Sequence, residues 1–263
     1  MRRAVPLLFL NLLAAYGGPA LAGPRGTGQT ACWFENGAVV APAAIGGIAG
    51  DYVIDLSAPR TLLHVDIAQR AGFTDTALTL PVRLAGRTIE AAPIAVQSLD
   101  YRAVGFSTPI AGVIGADILG RYAVALDFSP CRLRLERPGN APRGRKAGRK
   151  GGLPVALVGG VPTVLAAASN GLGSVAGPFA LDTASNGGVR ARGAADGPRQ
   201  KPAGTLRALS LDGTLRENLP AVRAGDLPDG VVGALGVQVL AGYRLRLDPG
   251  ARRLWLTPVP AER

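Results

Sequence analysis

The sequence predicts an all-β protein of two similar lobes related by pseudo-two-fold symmetry, with one short helix in each. Three observations predict it. Val, Leu and Ile fall in short runs bounded by Gly, Pro, Asn or Asp, which is the pattern of strands and turns, and long amphipathic helical periods are missing. The chain's 263 residues include 37 glycines and 21 prolines, which suits many short strands joined by turns. The same series of motifs also occurs twice, in the same order.

In the first copy, Tyr52-Val53-Ile54-Asp55-Leu56-Ser57-Ala58 runs an apolar strand into an aspartate followed by small residues. Val113-Ile114-Gly115 comes next, then a short helix from Ala116, then Tyr122 to Phe128 and Arg132 to Leu135 as two closing strands. In the second copy, Phe179-Ala180-Leu181-Asp182-Thr183-Ala184-Ser185 opens the series. Val231-Val232-Gly233, Tyr243 to Asp248 and Arg253 to Leu256 continue it. The aspartates lie 127 residues apart (182 − 55) and Gly115 and Gly233 lie 118 apart (233 − 115), so order and spacing are nearly kept. Around them, Val39–Ile45, Asp51–Leu56, Leu78–Leu84 and Thr88–Val96 read as strands, and Val161–Ala168 and Phe179–Thr183 repeat the first two.

The N-terminus has the three parts of an export signal. Arg2-Arg3 are basic, Ala4 to Tyr16 is apolar and uncharged, and Ala20-Leu21-Ala22 has the small-x-small form of a cleavage site. The apolar run is shorter than the roughly 20 residues a membrane-spanning helix needs. Residues 1–22 are therefore expected to be a signal peptide, and the mature protein to be periplasmic or secreted, without a membrane span.

Cys32 and Cys131 flank the first copy, and in an exported protein a lone pair usually bonds; two buried thiols are the alternative. The expected boundaries are an N-terminal lobe at 32–137, a basic Gly/Pro-rich linker at 138–152 and a C-terminal lobe at 153–259.

The net charge of +11 resembles a nucleic-acid signal, but its distribution argues otherwise. Cleavage after Ala22 removes two charges, and Arg143, Arg145, Lys146, Arg149 and Lys150 lie in the linker, which has nothing apolar to bury. Aromatic residues make up 5% and do not alternate with basic ones as a base-stacking surface requires, so no nucleic-acid partner is expected. The single histidine, His64, on a helix expected after the first aspartate, reads as a surface or packing residue. A Ser-His-Asp site would need it as base, yet no G-x-S-x-G turn occurs. One histidine and two distant cysteines do not make a zinc site, and no phosphate-binding glycine loop has the required spacing. No cofactor and no metal are called for. Carboxylate chemistry remains.

At these motifs, from about Cys32 to Pro258, the chain resembles the pepsin and retropepsin clan of aspartic peptidases. The resemblance rests on the aspartate triplet, the apolar-apolar-Gly triplet about sixty residues later, the short helix and the final strand pair, all present twice. It implies two retropepsin-like β-barrel lobes with Asp55 facing Asp182 across a cleft. The two carboxylates would share a proton, one activating a water as base and the other protonating the substrate carbonyl. Thr183, Ser57, Ser185, Gly115 and Gly233 would support the site, and an extended peptide would be the substrate. Both halves lie in one chain, so a monomer suffices.

The departures fall in the Asp-Thr/Ser-Gly triplet. Asp182-Thr183-Ala184 keeps two of its residues and Asp55-Leu56-Ser57 only one. Thr183 can bond across the axis, whereas Leu56 has no hydroxyl to do so. A peptide-binding module without catalysis is the rival reading, and an unrelated exported β-sandwich a weaker one. The flap candidates are Leu99-Asp100-Tyr101-Arg102 and Leu209 to Gly213. Two adjacent carboxylates repel, so asparagine at either position is expected to stabilise the protein near neutral pH.

Overall fold

A computed structural model describes residues 28–100, 105–139, 151–185, 187–192, 204–222, 225 and 227–259. The expected signal peptide, the centre of the linker, and Tyr101 and Arg102 of one flap candidate lie outside them. The protein is mostly β, with two closed six-stranded barrels, as the sequence predicts; its short helices number three among the described residues, two in the first lobe where one was expected.

The first barrel begins with β2 (Trp33–Glu35), β3 (Ala38–Ile45) and β4 (Ile48–Ile54). It continues with β5 (Leu62–His64), α1 (Val65–Arg70), β6 (Ala77–Leu84), β7 (Arg87–Gln97), β8 (Ile110–Ile114) and α2 (Ala116–Leu119). The strand order is β2-β3-β4-β8-β5-β7-β6, and pairing of β3 with β6 closes the ring. Two-residue hairpins connect β2 to β3, β3 to β4 and β6 to β7. In the β3–β4 turn both Gly46 and Gly47 have positive φ (59° and 87°), which matches the twist of the flanking strands.

The second barrel repeats this plan. It contains β12 (Ala156–Val158), β13 (Val161–Ser169), β14 (Ser174–Leu181), β15 (Val189–Ala191), β16 (Gly204–Leu211), β17 (Thr214–Val222), β18 (Gly233–Leu235) and α3 (Val237–Leu240). The order β12-β13-β14-β18-β15-β17-β16 closes through β13 and β16.

A six-stranded sheet joins the lobes, a feature the sequence reading did not include. Its order is β1 (Gln29–Ala31), β10 (Cys131–Glu136), β9 (Ala123–Phe128), β19 (Tyr243–Asp248), β20 (Arg253–Pro258) and β11 (Leu153–Pro154). The equivalent strands β9 and β19 pair antiparallel at its centre, with Ala125 opposite Arg246. Arg246 reaches Glu136 of the other lobe at 2.7 Å, and the buried Asp248 carboxylate accepts the Gly139 N–H. Cys32 and Cys131 form a disulfide across 99 residues that ties the start of the first barrel to β10. In the chain-entropy model a loop of that size contributes up to roughly 4–5 kcal/mol.

One aromatic ring anchors each barrel under a glycine. Tyr52 pairs in register with Gly112, and Phe179 with Gly233. A Cβ at Gly112 would lie 3.0 Å from the Tyr52 ring, and one at Gly233 would lie 2.3 Å from that of Phe179. The Tyr52 hydroxyl donates to the Ile48 carbonyl, and burial pushes the phenol up to about 12.

Candidate functional site

Each aspartate follows the inner strand of a parallel pair, β4 with β8 and β14 with β18. The Asp55 N–H donates to the Ile114 carbonyl at 3.0 Å, and the Asp182 N–H donates to that of Leu235 at 2.9 Å. The two carboxylates are thus carried by equivalent backbone positions. Both side chains are almost wholly buried, and both line one cavity of about 280 Å³ together with Ser57, Ser185 and Arg190.

The loops that carry them are locked together by Thr183, which is fully buried. Its hydroxyl donates to the Ile54 carbonyl at 2.6 Å and accepts the Leu56 N–H at 3.1 Å. Its own carbonyl accepts the Val39 N–H at 2.9 Å. Leu56, lacking a hydroxyl, supplies only its backbone to this contact. The lock comes from one side.

The carboxylates differ in their surroundings. Asp55 Oδ1 accepts from the Ser57 N–H (2.8 Å), the Ser57 hydroxyl (2.7 Å) and the Ala58 N–H (3.1 Å). Asp182 Oδ1 accepts from the Ala184 N–H at 3.1 Å, and its Oδ2 forms a short ion pair with Nη2 of Arg190. The Ser185 hydroxyl accepts the Gly187 N–H at 3.3 Å.

Sequence reasoning missed Arg190. Its backbone is fixed in β15 between β18 and β17, where it pairs with Ala234 and Val222. In the first lobe the matching place, on β5 beside Ala95 and Val113, belongs to Leu62. Leu62 packs, as Trp33, Phe106 and Ala184 do, against a buried cluster that includes Val40, Val53 and Val113. A cation eight residues after the second aspartate, where the first copy has leucine, was the available signal.

The repeat register also needs correction. Gly115 and Gly236 each precede the short helix, and their N–H groups bond the Thr61 hydroxyl (3.1 Å) and the Gly188 carbonyl (2.8 Å). Gly115 therefore corresponds to Gly236, and Gly233 to Gly112. Gly115 lies against the Asp55 loop, where a Cβ would come within 2.7 Å of the Ala58 carbonyl. Gly233 instead underlies Phe179 and the Arg190 carbonyl. Thr61 adds a bond in the first lobe only, its hydroxyl donating to Asp117 at 2.7 Å.

Of the flap candidates, Leu99 is core, and Leu209 to Leu211 end β16 before the Asp212-Gly213 turn into β17, none of them lining the cavity. The rim is built by the β2–β3 hairpin and the loop before β8, through Asn36 and Phe106. The Ser107 N–H donates to Glu35 of that hairpin and, with the other bonds to Ser107, holds its carboxyl below the usual range. His64 ends β5 and caps α1. Its Nδ1 accepts the Asp66 N–H, and its Nε2 lies 3.1 Å from Asp100. The Ser98 hydroxyl, then His64, lower the Asp100 carboxyl. His64, Asp66 and Asp100 bring their ligand-type atoms within 4.8 Å of one another, with both acids exposed. Among the described residues, no helix is long and apolar enough to cross a membrane.

The structure is similar to that of an aspartic proteinase from Irpex lacteus, with TM-score 0.54 and 12% identity, over 88% of this chain and 97% of that one. The fold is that of the two-lobed aspartic proteinases. A retropepsin-like aspartic protease from Rickettsia conorii is similar at TM-score 0.31 and 19% identity, over 41% of this chain and 88% of that one. The sequence matches no protein-family model and no curated protein.

Proposed function

We propose that the chain is an exported aspartic-type endopeptidase that hydrolyses an extended peptide held between lobes 32–137 and 153–259. One observation carries the reading: two nearly buried aspartates from equivalent strand ends line a single cavity, on loops locked together by Thr183. In it Asp55 and Asp182 act on a water placed between them, and Ser57 and the Ala58 N–H orient Asp55. The disulfide and the N-terminal charge pattern support export to an oxidising compartment.

The binding-module reading also has an observation in its favour. Arg190 occupies one oxygen of Asp182, and the lock lacks its second hydroxyl.

Mature protein incubated with unfolded casein, with products mapped by mass spectrometry, separates the two. The expected result is new internal termini that disappear in both Asp55→Asn and Asp182→Asn. Peptide binding with no cleavage by wild type would establish the module instead.

A further inference from the structure

Among the described residues, Arg190 is the one cation on the wall of a cavity that also holds both aspartates. Its side chain is 21% exposed, and its buried Nε has no hydrogen-bond partner. One Nη2–H is used on Asp182, while the guanidinium fork carries further N–H groups. Three paired strands fix its backbone, so the charge is held in place before any ligand arrives.

A symmetric pair of carboxylates has only a mobile proton to place beside a carbonyl oxygen. Here a permanent guanidinium charge lines the same cavity, and the matching place in the first lobe holds Leu62. A fixed donor aimed at developing negative charge in a water-poor site is among the largest contributions to catalysis. We propose that Arg190 is a catalytic residue of the peptide hydrolysis, stabilising the oxyanion formed on the substrate carbonyl. The inference rests on the endopeptidase reading and assigns its electrophile.

The step balances without a further reactant. Water oxygen bonds to the carbonyl carbon as Asp55 takes one water proton, and the carbonyl π pair moves to oxygen as an oxyanion beside Arg190. The oxyanion pair then re-forms the C=O, the C–N bond breaks, and Asp55 returns the proton to the leaving amine. The products are one acid and one amine, and Asp55 is again a carboxylate.

The test is steady-state cleavage of one identified peptide by wild type, Arg190→Gln and Arg190→Lys, each first shown to keep a cooperative melting transition. Losing one such donor should lower kcat by about 10²–10³ in Arg190→Gln, with KM changed less than about threefold, and Arg190→Lys should recover part of the loss. If the glutamine variant does not fold, the lysine variant decides: it lacks the planar fork, and a kcat at least about tenfold down is expected. Unchanged kcat in the folded variant, or a rise in KM alone, overturns the inference while leaving the endopeptidase reading standing. A wild type that cleaves no peptide overturns both.

Discussion

Replacing Thr183 by valine should cost about 2–4 kcal/mol of stability and abolish cleavage, although the two side chains have nearly the same shape. The hydroxyl satisfies a carbonyl and an N–H at the meeting of the lobes, those of Ile54 and Leu56, beside fully buried neighbours. Each buried polar group left unpaired costs about 1–3 kcal/mol. Leu56 has no hydroxyl with which to compensate, so the loss is not shared. Serine at the same position keeps the hydroxyl and should retain most of both properties. Urea unfolding of the valine and serine variants measures the difference. A valine variant within about 0.5 kcal/mol of wild type would mean that the hydroxyl does not hold the loops.

The two asparagine variants should diverge in stability while both lose activity. Asp182→Asn removes the countercharge of Arg190, whose guanidinium is largely buried. Breaking a fully buried pair costs 3–5 kcal/mol, and with Arg190 partly exposed about 1–3 kcal/mol is expected. Asp55→Asn keeps an oxygen that can accept from Ser57 and Ala58, and it removes one of two neighbouring like charges. Its melting temperature should equal or exceed that of wild type at neutral pH. Repulsion alone, as read from sequence, makes both variants more stable; Arg190 reverses the expectation for Asp182. Thermal melting at neutral pH decides, and a stabilised Asp182→Asn would show that the ion pair contributes nothing.

What could be read in advance follows from where each signal is stored. Asp55, Asp182 and Thr183 were legible because an apolar strand running into an aspartate is a local pattern, and it occurs twice. The glycine register slipped by three because Val231-Val232-Gly233 looks more like Val113-Ile114-Gly115 than the true match, Ala234-Leu235-Gly236, does. The parallel pairing of β14 with β18 and the start of the short helix after Gly236 separate them. The shared six-stranded sheet was invisible because nothing within Ala123–Phe128 specifies that its partner is Tyr243–Asp248 of the other copy. Arg190 was hidden among 29 basic residues, and its meaning arises from a contact between strand β15 and the loop that follows β14.

A crystal structure of the protein with a statine-containing peptide tests the central claim most directly, because its hydroxyl stands in for the attacked carbonyl. The peptide is expected to lie extended in the cavity, rimmed by Asn36 and Phe106, with that hydroxyl in hydrogen-bond reach of both Asp55 and Asp182 and beside Arg190. A peptide seated elsewhere, or a hydroxyl that meets neither carboxylate, would contradict the assignment of these two aspartates to one site.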